Sequence, residues 1–150
     1  MEVFRISAET YATKLTSSGS ANRWNFDSQE VLYTGSSRSL ASLELIVHKN
    51  SIKPGIRYMV MIISLADYDH LIRTISLEEL PPNWRTFDAY SDLQKIGSDW
   101  YSTQETLILK VPSAIIPLEY NYIINTQHPD FGSHIKLVRT EKYFWDDRLK

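Results

Sequence analysis

The stretch RWNFDSQEVLYTGSSRSLASLE, residues 23–44, decides the fold that we predict for this chain. Its centre, VLYT at residues 31–34, is rich in β-branched and aromatic side chains, which is typical of a short strand. Gly35 ends this strand, the two serines after it offer a helix N-cap, and a helix is predicted over residues 38–49. This strand, turn and helix are predicted to present side chains to one cleft.

Glu44 is the unusual residue of the predicted helix. At about 100° per residue it lies about 40° from Leu40 and about 60° from Val47, inside an apolar arc. A carboxylate on an apolar face is unfavourable by several kcal/mol unless it is paired or lines a cleft. A partly buried glutamate satisfied by a local arginine therefore stays open beside a functional role.

Two neighbours of Glu44 in this stretch have complementary chemistry. Arg23 lies in a small, polar loop, and Tyr33 lies on the strand that leads into the helix. A cation, an aromatic ring and a carboxylate that face one cleft suit a substrate with phosphates, a flat ring and a sugar. The pattern therefore favours a nucleotide-like substrate.

The composition predicts one ordinary globular domain over residues 1–150. The chain is 43% hydrophobic and 23% charged, and its length suffices to bury about 70% of the unfolded surface. The lack of cysteine excludes disulfides and thiolate metal sites. A net charge of −2 argues against a nucleic-acid-binding surface. We find no signal peptide, and the longest apolar run is too short to span a membrane, so a cytoplasmic protein is expected.

The rest of the chain alternates strand-like and helical patterns. Further helices are predicted at residues 8–15 and 91–103, and further strands at 3–7, 57–66, 106–111, 121–126 and 135–144. Pro54 marks a turn at 51–55, whereas the segment 67–80 is ambiguous and ends at two helix-breaking prolines, Pro81 and Pro82. These elements predict an α+β domain with a mixed, mostly antiparallel or split sheet and flanking helices.

Several motifs in this order resemble the RES domain family, the toxins of bacterial toxin–antitoxin pairs. They are R-W-N at 23–25, L-Y-T-G-S-S at 32–37, S-L-E at 42–44 and V-P-S-A-I-I-P-L-E-Y-N-Y-I-I-N at 111–125. The resemblance covers nearly the whole chain, from F-R-I near the start to F-W-D-D-R-L near the end. It implies a fold like that of the ADP-ribosyltransferases and cleavage of the bond between nicotinamide and ribose in NAD⁺.

The residues of the first stretch suit that reaction. Nicotinamide leaves as a neutral ring that needs no proton, so one carboxylate, Glu44, is enough to stabilise the oxocarbenium-like transition state. Arg23 is predicted to bind the phosphates or the adjacent ribose, with surface stacking on Trp24 as the alternative. The resemblance implies that Tyr33 stacks on the nicotinamide ring, although a tyrosine on a strand is more often a core residue.

Two residues outside this stretch take roles from the resemblance. Arg5 is a charge inside an otherwise apolar strand, and the family implies a second NAD⁺ contact there. Ser113 matches the serine in the family's name. A serine after a proline is typical of a turn, and this one has no nearby histidine to activate it, so we predict a hydrogen-bonding or orienting role. Glu119, Asn121 and Asn125 are interpreted as structural.

No metal or cofactor is predicted, since NAD⁺ would be the substrate. His128 and His134 lie six residues apart with only Asp130 between them as a further ligand, which makes a metal site improbable. The resemblance implies an antitoxin with a helix-turn-helix domain as partner, which would do any DNA binding, and a homodimer within that complex stays open.

Several activities fit the same four site residues, Arg23, Tyr33, Glu44 and Ser113. Hydrolysis of NAD⁺ is the leading hypothesis, and phosphorolysis stays open. Transfer of ADP-ribose to a host protein is the alternative reaction. A non-catalytic relative that only binds its antitoxin is an alternative of another class, and the presence of all four residues counts against it.

Overall fold

The computed structural model describes residues 1–48, 53–144 and 146–149. In these ranges the strands are β1 (Glu2–Ala8), β2 (Val31–Gly35), β3 (Tyr58–Leu65), β4 (Ile72–Thr74), β5 (Ile108–Pro112), β6 (Tyr120–Asn125) and β7 (Ile135–Lys142). The helices are α1 (Arg38–Val47), α2 (Tyr90–Thr103) and the single turn α3 (Phe131–His134). Short 3₁₀ turns lie at Glu9–Tyr11, Asp69–Leu71, Leu77–Glu79, Phe87–Ala89 and Asp147–Leu149.

These strands form one mixed sheet in the order β4-β5-β6-β2-β1-β3-β7. Together with the helices they make an α+β domain. Neighbouring strands are antiparallel except β4 and β5, which are parallel. Within the described chain, β1 and β2 share one register pair, Phe4 with Gly35, whereas β1 pairs with β3 along its whole length. The sheet therefore splits beyond Phe4, and α1 packs on both strands beside the split. The expected mixed, mostly antiparallel sheet is confirmed.

The two faces of the sheet bury different cores because side chains alternate along each strand. On β5, Ile108 joins a core of aliphatic side chains, whereas Leu109 and Val111 face α2. We call the core on the α2 side the tryptophan cluster, since it contains Trp24, Trp84 and Trp100, all buried. Each buried aromatic removes roughly 150–250 Å² from water, which stabilises the fold by several kcal/mol. This cluster lies under the loop that carries Arg23.

The predicted strands and the helix at 91–103 are confirmed, with ends shifted by one or two residues. α1 begins as predicted, because the Ser37 hydroxyl accepts a hydrogen bond from the Leu40 N–H at 3.0 Å. It ends at Val47, with His48 as its C-cap. Residue 49 of the predicted helix and residues 51–52 of the predicted turn lie outside the described ranges.

The predicted helix at residues 8–15 is wrong. This segment contains one 3₁₀ turn, Glu9–Tyr11, without a side-chain cap. A run this short gains too few hydrogen bonds to offset helix nucleation. In the described ranges, no helix combines the length and the apolar character needed to cross a bilayer.

Candidate active site

Arg5 occupies the place where β1 and β2 part. Its Nη1 donates a hydrogen bond to the carbonyl oxygen of Tyr33 at 3.1 Å, so the side chain bridges the two strands where their ladder has ended. Burial lowers the pKa of the Arg5 guanidinium, yet such a group stays protonated in proteins. Arg5 is thus a half-buried cation with a structural bond, and its predicted contact with NAD⁺ stays a prediction.

Glu44 lies half-buried on the last turn and a half of α1, beside the end of β2. The Asn121 side-chain amide hydrogen-bonds the carboxylate, and the same amide donates to the Thr34 carbonyl oxygen at 3.2 Å. Burial raises the pKa of Glu44, and this effect exceeds the opposing effects of Asn121 and of the positive charge of Arg23. The carboxylate is therefore incompletely compensated, and a positive charge developing beside it would be stabilised.

Arg23 is fixed by main-chain carbonyl groups and by an aromatic ring. Its Nη1 donates to the carbonyl oxygens of Trp84 and Arg85, both at 3.2 Å. Its Cζ lies 4.8 Å from the ring centroid of Tyr90. The guanidinium thus stacks on Tyr90 rather than on Trp24, whose side chain is buried. A guanidinium has five N–H donors, so most of them are left for a ligand.

Tyr33 connects the strand to the loop of Arg23. Its hydroxyl accepts a hydrogen bond from the Trp24 N–H at 3.0 Å and donates one to Asn25 Oδ1 at 2.5 Å. Burial raises the pKa of the Tyr33 hydroxyl, so this group stays protonated and can donate. The charges of Arg23 and Glu44 both act on Tyr33, and the charge of Arg23 acts on Glu44, so the three side chains lie within electrostatic reach of one another. The stacking role predicted for the ring stays a prediction, and the structural role of the hydroxyl was missed.

Helix α2 holds the same loop from the other side. We call residues 20–26 the Arg23 loop. Gln94 Nε2 donates to the carbonyl oxygens of Asn22 and Asn25 at 3.0 and 3.2 Å. A Cβ added at Gly97 would lie 1.7 Å from the carbonyl oxygen of Trp24. A glycine in mid-helix, which interrupts the helical pattern, is therefore needed for the close approach of helix and loop.

Ser113 is buried, with 1% of its surface exposed, in the turn after β5. Its Oγ accepts hydrogen bonds from the N–H groups of Ile115 and Ile116, both at 3.1 Å. Its own N–H donates to the Glu119 carbonyl oxygen at 2.8 Å. These bonds shape the turn that begins two residues after Val111, the register partner of Asn121. They suit an orienting role, and a contact with NAD⁺ stays a prediction.

Two residues near Glu44 were missed as site residues. Asn121, interpreted as structural, contacts the carboxylate directly. His48 lies four residues after Glu44, and its N–H donates to the Glu44 carbonyl oxygen at 3.3 Å. Burial and the charge of Arg23 lower the pKa of His48, so its imidazole is neutral at neutral pH. The spacing of four residues was the available signal, because it places both on one helix face.

The two histidines of the later loop stabilise that loop. His128 Nδ1 accepts a hydrogen bond from the Asp130 N–H at 3.0 Å, so its Nε2 carries the proton donated to the Gln104 carbonyl oxygen at 2.9 Å. His134 Nδ1 lies 2.7 Å from the Ser133 hydroxyl. Among the residues that the structure describes, no group of three or more His, Cys, Asp or Glu could hold a metal ion.

Comparison with known proteins matches the RES domain family over residues 2–146. A protein named Toxin Res from Yersinia enterocolitica is 31% identical over 143 residues, covering 95% of this chain and 87% of the relative. A protein named Prs ADP-ribosylating toxin from a Sphingobium species is 36% identical over 149 residues, covering 95% and 91%. Another Toxin Res, from Photorhabdus laumondii, is 28% identical over 153 residues, covering 99% and 97%. The similarity thus extends over almost the full length of both chains.

Proposed function

The chain belongs to the RES domain family, and from this premise we propose that it is a toxin that cleaves the nicotinamide–ribose bond of NAD⁺. The observation that carries the proposal is that the charges of Arg23 and Glu44 both act on Tyr33, which lies beside the split between β1 and β2. These three residues supply a cation that can bind phosphate, an aromatic ring and a carboxylate.

In the proposed reaction the glycosidic C–N bond breaks, and its electron pair moves to the pyridinium nitrogen. Nicotinamide then leaves as a neutral molecule, and the ribose C1′ becomes oxocarbenium-like. A water oxygen forms the new bond to C1′ and releases one proton to solvent. The products are nicotinamide, ADP-ribose and a proton.

Glu44 stabilises the positive charge that develops on the ribose. Its carboxylate is half-buried and its pKa is raised by burial, so a cation beside it gains more than it would gain in water. Asn121 hydrogen-bonds the carboxylate and is itself tied to the Thr34 carbonyl oxygen. The amide therefore fixes the direction in which the carboxylate points, while the remaining lone pairs are available to a ribose hydroxyl.

Arg23 binds the diphosphate in this proposal. Its guanidinium is pre-oriented by two carbonyl oxygens and by the ring of Tyr90, so little side-chain entropy is lost when a phosphate binds. The N–H groups that remain can form the bidentate contact that guanidinium makes with phosphate.

Transfer of ADP-ribose to a protein is the second candidate. It is favoured by the similarity to the Sphingobium relative, which is named Prs ADP-ribosylating toxin, at 36% identity. The same carboxylate would serve this reaction, because bond breaking to nicotinamide is identical and only the nucleophile changes. Phosphate as nucleophile would give phosphorolysis by the same reasoning.

The proposal includes a partner. An enzyme that consumes NAD⁺ would stop the growth of its own cell unless another protein restrained it. Relatives of this chain are named toxins, so we expect an antitoxin, with the helix-turn-helix domain that the family implies.

The test is to incubate the purified chain with NAD⁺ and to identify the products by mass. Nicotinamide with ADP-ribose is the expected result. Phosphate-dependent formation of ADP-ribose 1″-phosphate would indicate phosphorolysis. A discrete labelled protein band with tagged NAD⁺, and little bulk consumption, would indicate transfer to protein. Wild-type chain that leaves NAD⁺ intact under all three conditions would exclude the proposal.

A cellular experiment separates an enzyme from a binding module. Expression without a partner should stop growth, and cellular NAD⁺ should fall before transcription or translation does. Expression of Glu44→Gln should be tolerated. Growth arrest by Glu44→Gln with unchanged NAD⁺ would mean that binding, not cleavage, causes the effect.

A further inference from the structure

An aromatic stack runs outward from the candidate active site to solvent. Arg23 Cζ lies 4.8 Å from the ring centroid of Tyr90. The ring of Phe87 is parallel to that of Tyr90 within 7°, with the centroids 4.5 Å apart. The Arg23 guanidinium and the Phe87 ring therefore both pack against Tyr90. The outer face of Phe87 is then the end of the stack.

Phe87 is 82% exposed, although it belongs to a 3₁₀ turn directly before α2. A single exposed apolar side chain is common on protein surfaces. This one differs because stacking on Tyr90 orients its ring, and Tyr90 also positions the cation predicted to bind phosphate. The open ring face of Phe87 is connected to the Arg23 guanidinium through Tyr90. It offers a stacking surface for a base, and the guanidinium offers a binding group for the phosphates of that base.

A second arginine adjoins the same stack through its backbone carbonyl group. Arg85 Cζ is 4.7 Å from the ring centroid of Trp84, and the Arg85 carbonyl oxygen accepts a hydrogen bond from Arg23 Nη1. Arg85 precedes Phe87 by two residues and is exposed. The stack and the residues that adjoin it therefore combine an open ring with two cations, which is the chemistry that recognises a nucleotide.

We propose that the outer face of Phe87 stacks the adenine ring of NAD⁺, while Arg23 and Arg85 bind its diphosphate. A base on this face would lie about 9 Å from the Tyr90 ring centroid, two stacking intervals away. The adenine end would thus be bound on the outer side of Arg23, and the nicotinamide ribose on the side of Glu44. This inference rests on the proposed function for the identity of the dinucleotide.

Binding can be measured without turnover in a Glu44→Gln background. Isothermal titration would compare NAD⁺, nicotinamide mononucleotide, which lacks the adenosine half, and AMP, which lacks the nicotinamide half. Phe87→Ala should weaken NAD⁺ and AMP by about 5- to 150-fold, the range for loss of one stacked base. Binding of nicotinamide mononucleotide should not change. Phe87→Trp should restore NAD⁺ and AMP affinity, because the ring is replaced by another stacking surface.

Phe144→Ala is the matched control. Phe144 is also 82% exposed, but it follows β7 at the far edge of the sheet order from β4 and β5. This variant should bind all three ligands as the parent does. A loss equal to that of Phe87→Ala would mean that removing any exposed ring has the same effect, and would overturn the subsite.

The outcomes distinguish this inference from the proposed function. Unchanged NAD⁺ and AMP binding by Phe87→Ala would overturn the subsite, even if the wild type cleaves NAD⁺. Equal losses for all three ligands would also overturn it, because Phe87 would then act by positioning Arg23. Loss of binding to a partner protein with unchanged AMP affinity would assign the ring to a protein contact instead. AMP binding that depends on Phe87, in a chain that cleaves no NAD⁺, would uphold the subsite and exclude the function.

Discussion

A glutamate interacts with an arginine at each end of α1, and the pKa values of the two carboxyl groups are shifted in opposite directions. At the first turn, Arg38 donates to both oxygens of Glu141, each at 3.0 Å, in an exposed bidentate pair. The hydrogen bonds from Arg38 hold the pKa of Glu141 below its usual value. At the last turn, burial raises the pKa of Glu44 despite the nearby charge of Arg23.

The two carboxylates differ in how completely the protein compensates their negative charge. Glu141 has its charge satisfied by protein, as an ordinary surface pair does. In the described part of the chain, no cation forms an ion pair with Glu44. Glu44 is half-buried, and the arginine whose charge acts on it is itself held by carbonyl oxygens, so its negative charge is incompletely compensated. Such a group is typical of a functional site, whereas a satisfied pair is typical of a surface.

The largest expected effect is on NAD⁺ turnover, and it should distinguish Glu44 from Glu141. Glu44→Gln keeps the shape but removes the charge, so NAD⁺ turnover should fall about 10²–10³-fold, equivalent to about 2.7–4 kcal/mol of barrier. Binding should change much less, which titration would show. Glu141→Gln is the matched control and should keep normal turnover. Near-normal turnover by Glu44→Gln would contradict the single-carboxylate mechanism.

Arg38 and Arg23 differ in the contacts that fix their side chains. Arg38 is held by its own ion pair, whereas Arg23 depends on the packing of its loop against Gly97. Gly97→Ala forces a Cβ into the Trp24 carbonyl group, so the free energy of unfolding should fall by about 1–3 kcal/mol. Turnover of the folded fraction should fall as well. Denaturant unfolding and product formation would measure the two effects.

Gly132→Ala is the control for this experiment. An added Cβ at Gly132 meets no atom within 4 Å, so both stability and turnover should stay near wild type. If Gly97→Ala lost stability but kept the KM for NAD⁺, the position of Arg23 would not depend on this contact.

A smaller effect should separate the hydroxyl of Tyr33 from its ring. Tyr33→Phe removes the bonds to the Trp24 N–H and to Asn25, which should weaken NAD⁺ capture by about 0.5–1.5 kcal/mol through a looser Arg23 loop. Tyr33→Ala removes the ring too and should be more severe if the ring stacks on nicotinamide. Equal losses in an NAD⁺ titration would assign the whole role to the hydroxyl. The exposed Tyr11 offers the control Tyr11→Phe, which should bind normally.

The pH dependence of activity follows from the raised pKa of Glu44. The mechanism needs the carboxylate, so kcat/KM should fall as pH falls through a pKa above the usual glutamate value of about 4.3. Glu141→Gln should leave this acidic limb in place. An acidic limb at or below the usual value would show that the carboxylate is fully compensated in the free protein.

The same shifts predict opposite effects on stability. The raised pKa of Glu44 penalises the folded state above that pKa, and the penalty disappears below the pKa of the unfolded chain. The lowered pKa of Glu141 stabilises the folded state above the unfolded pKa, and this contribution is lost as pH falls through the folded pKa. Unfolding of Glu44→Gln and Glu141→Gln across acidic pH should therefore diverge from wild type in opposite directions.

Local patterns predicted much of the fold and singled out Glu44, the central residue of the candidate site. Alternation and β-branching located the strands, and Ser37 capped α1 as expected. Glu44 was found because a carboxylate stood in an apolar helical arc, a signal carried within one turn of sequence. Each of these inferences depends on neighbours a few residues apart.

The residues that support the site could not be found in this way. Arg23 bonds to the carbonyl of Trp84, 61 residues later, and Gly97 touches a loop more than 70 residues earlier. Nothing local in the sequence states which loop a helix will meet. The hydroxyl of Tyr33 was missed although Trp24 and Asn25 lie close in sequence, because they become its neighbours only when the chain turns back on the strand.

The tryptophan cluster gives the molecule an intrinsic optical probe. Three of its four tryptophans lie in that cluster, and the fourth lies outside the described residues. The Trp84 ring carries the Arg85 guanidinium, and the Trp84 carbonyl accepts from Arg23. A phosphate bound to either guanidinium would add negative charge beside this indole. We therefore expect the tryptophan emission of the unlabelled protein to change when a phosphate-bearing ligand binds.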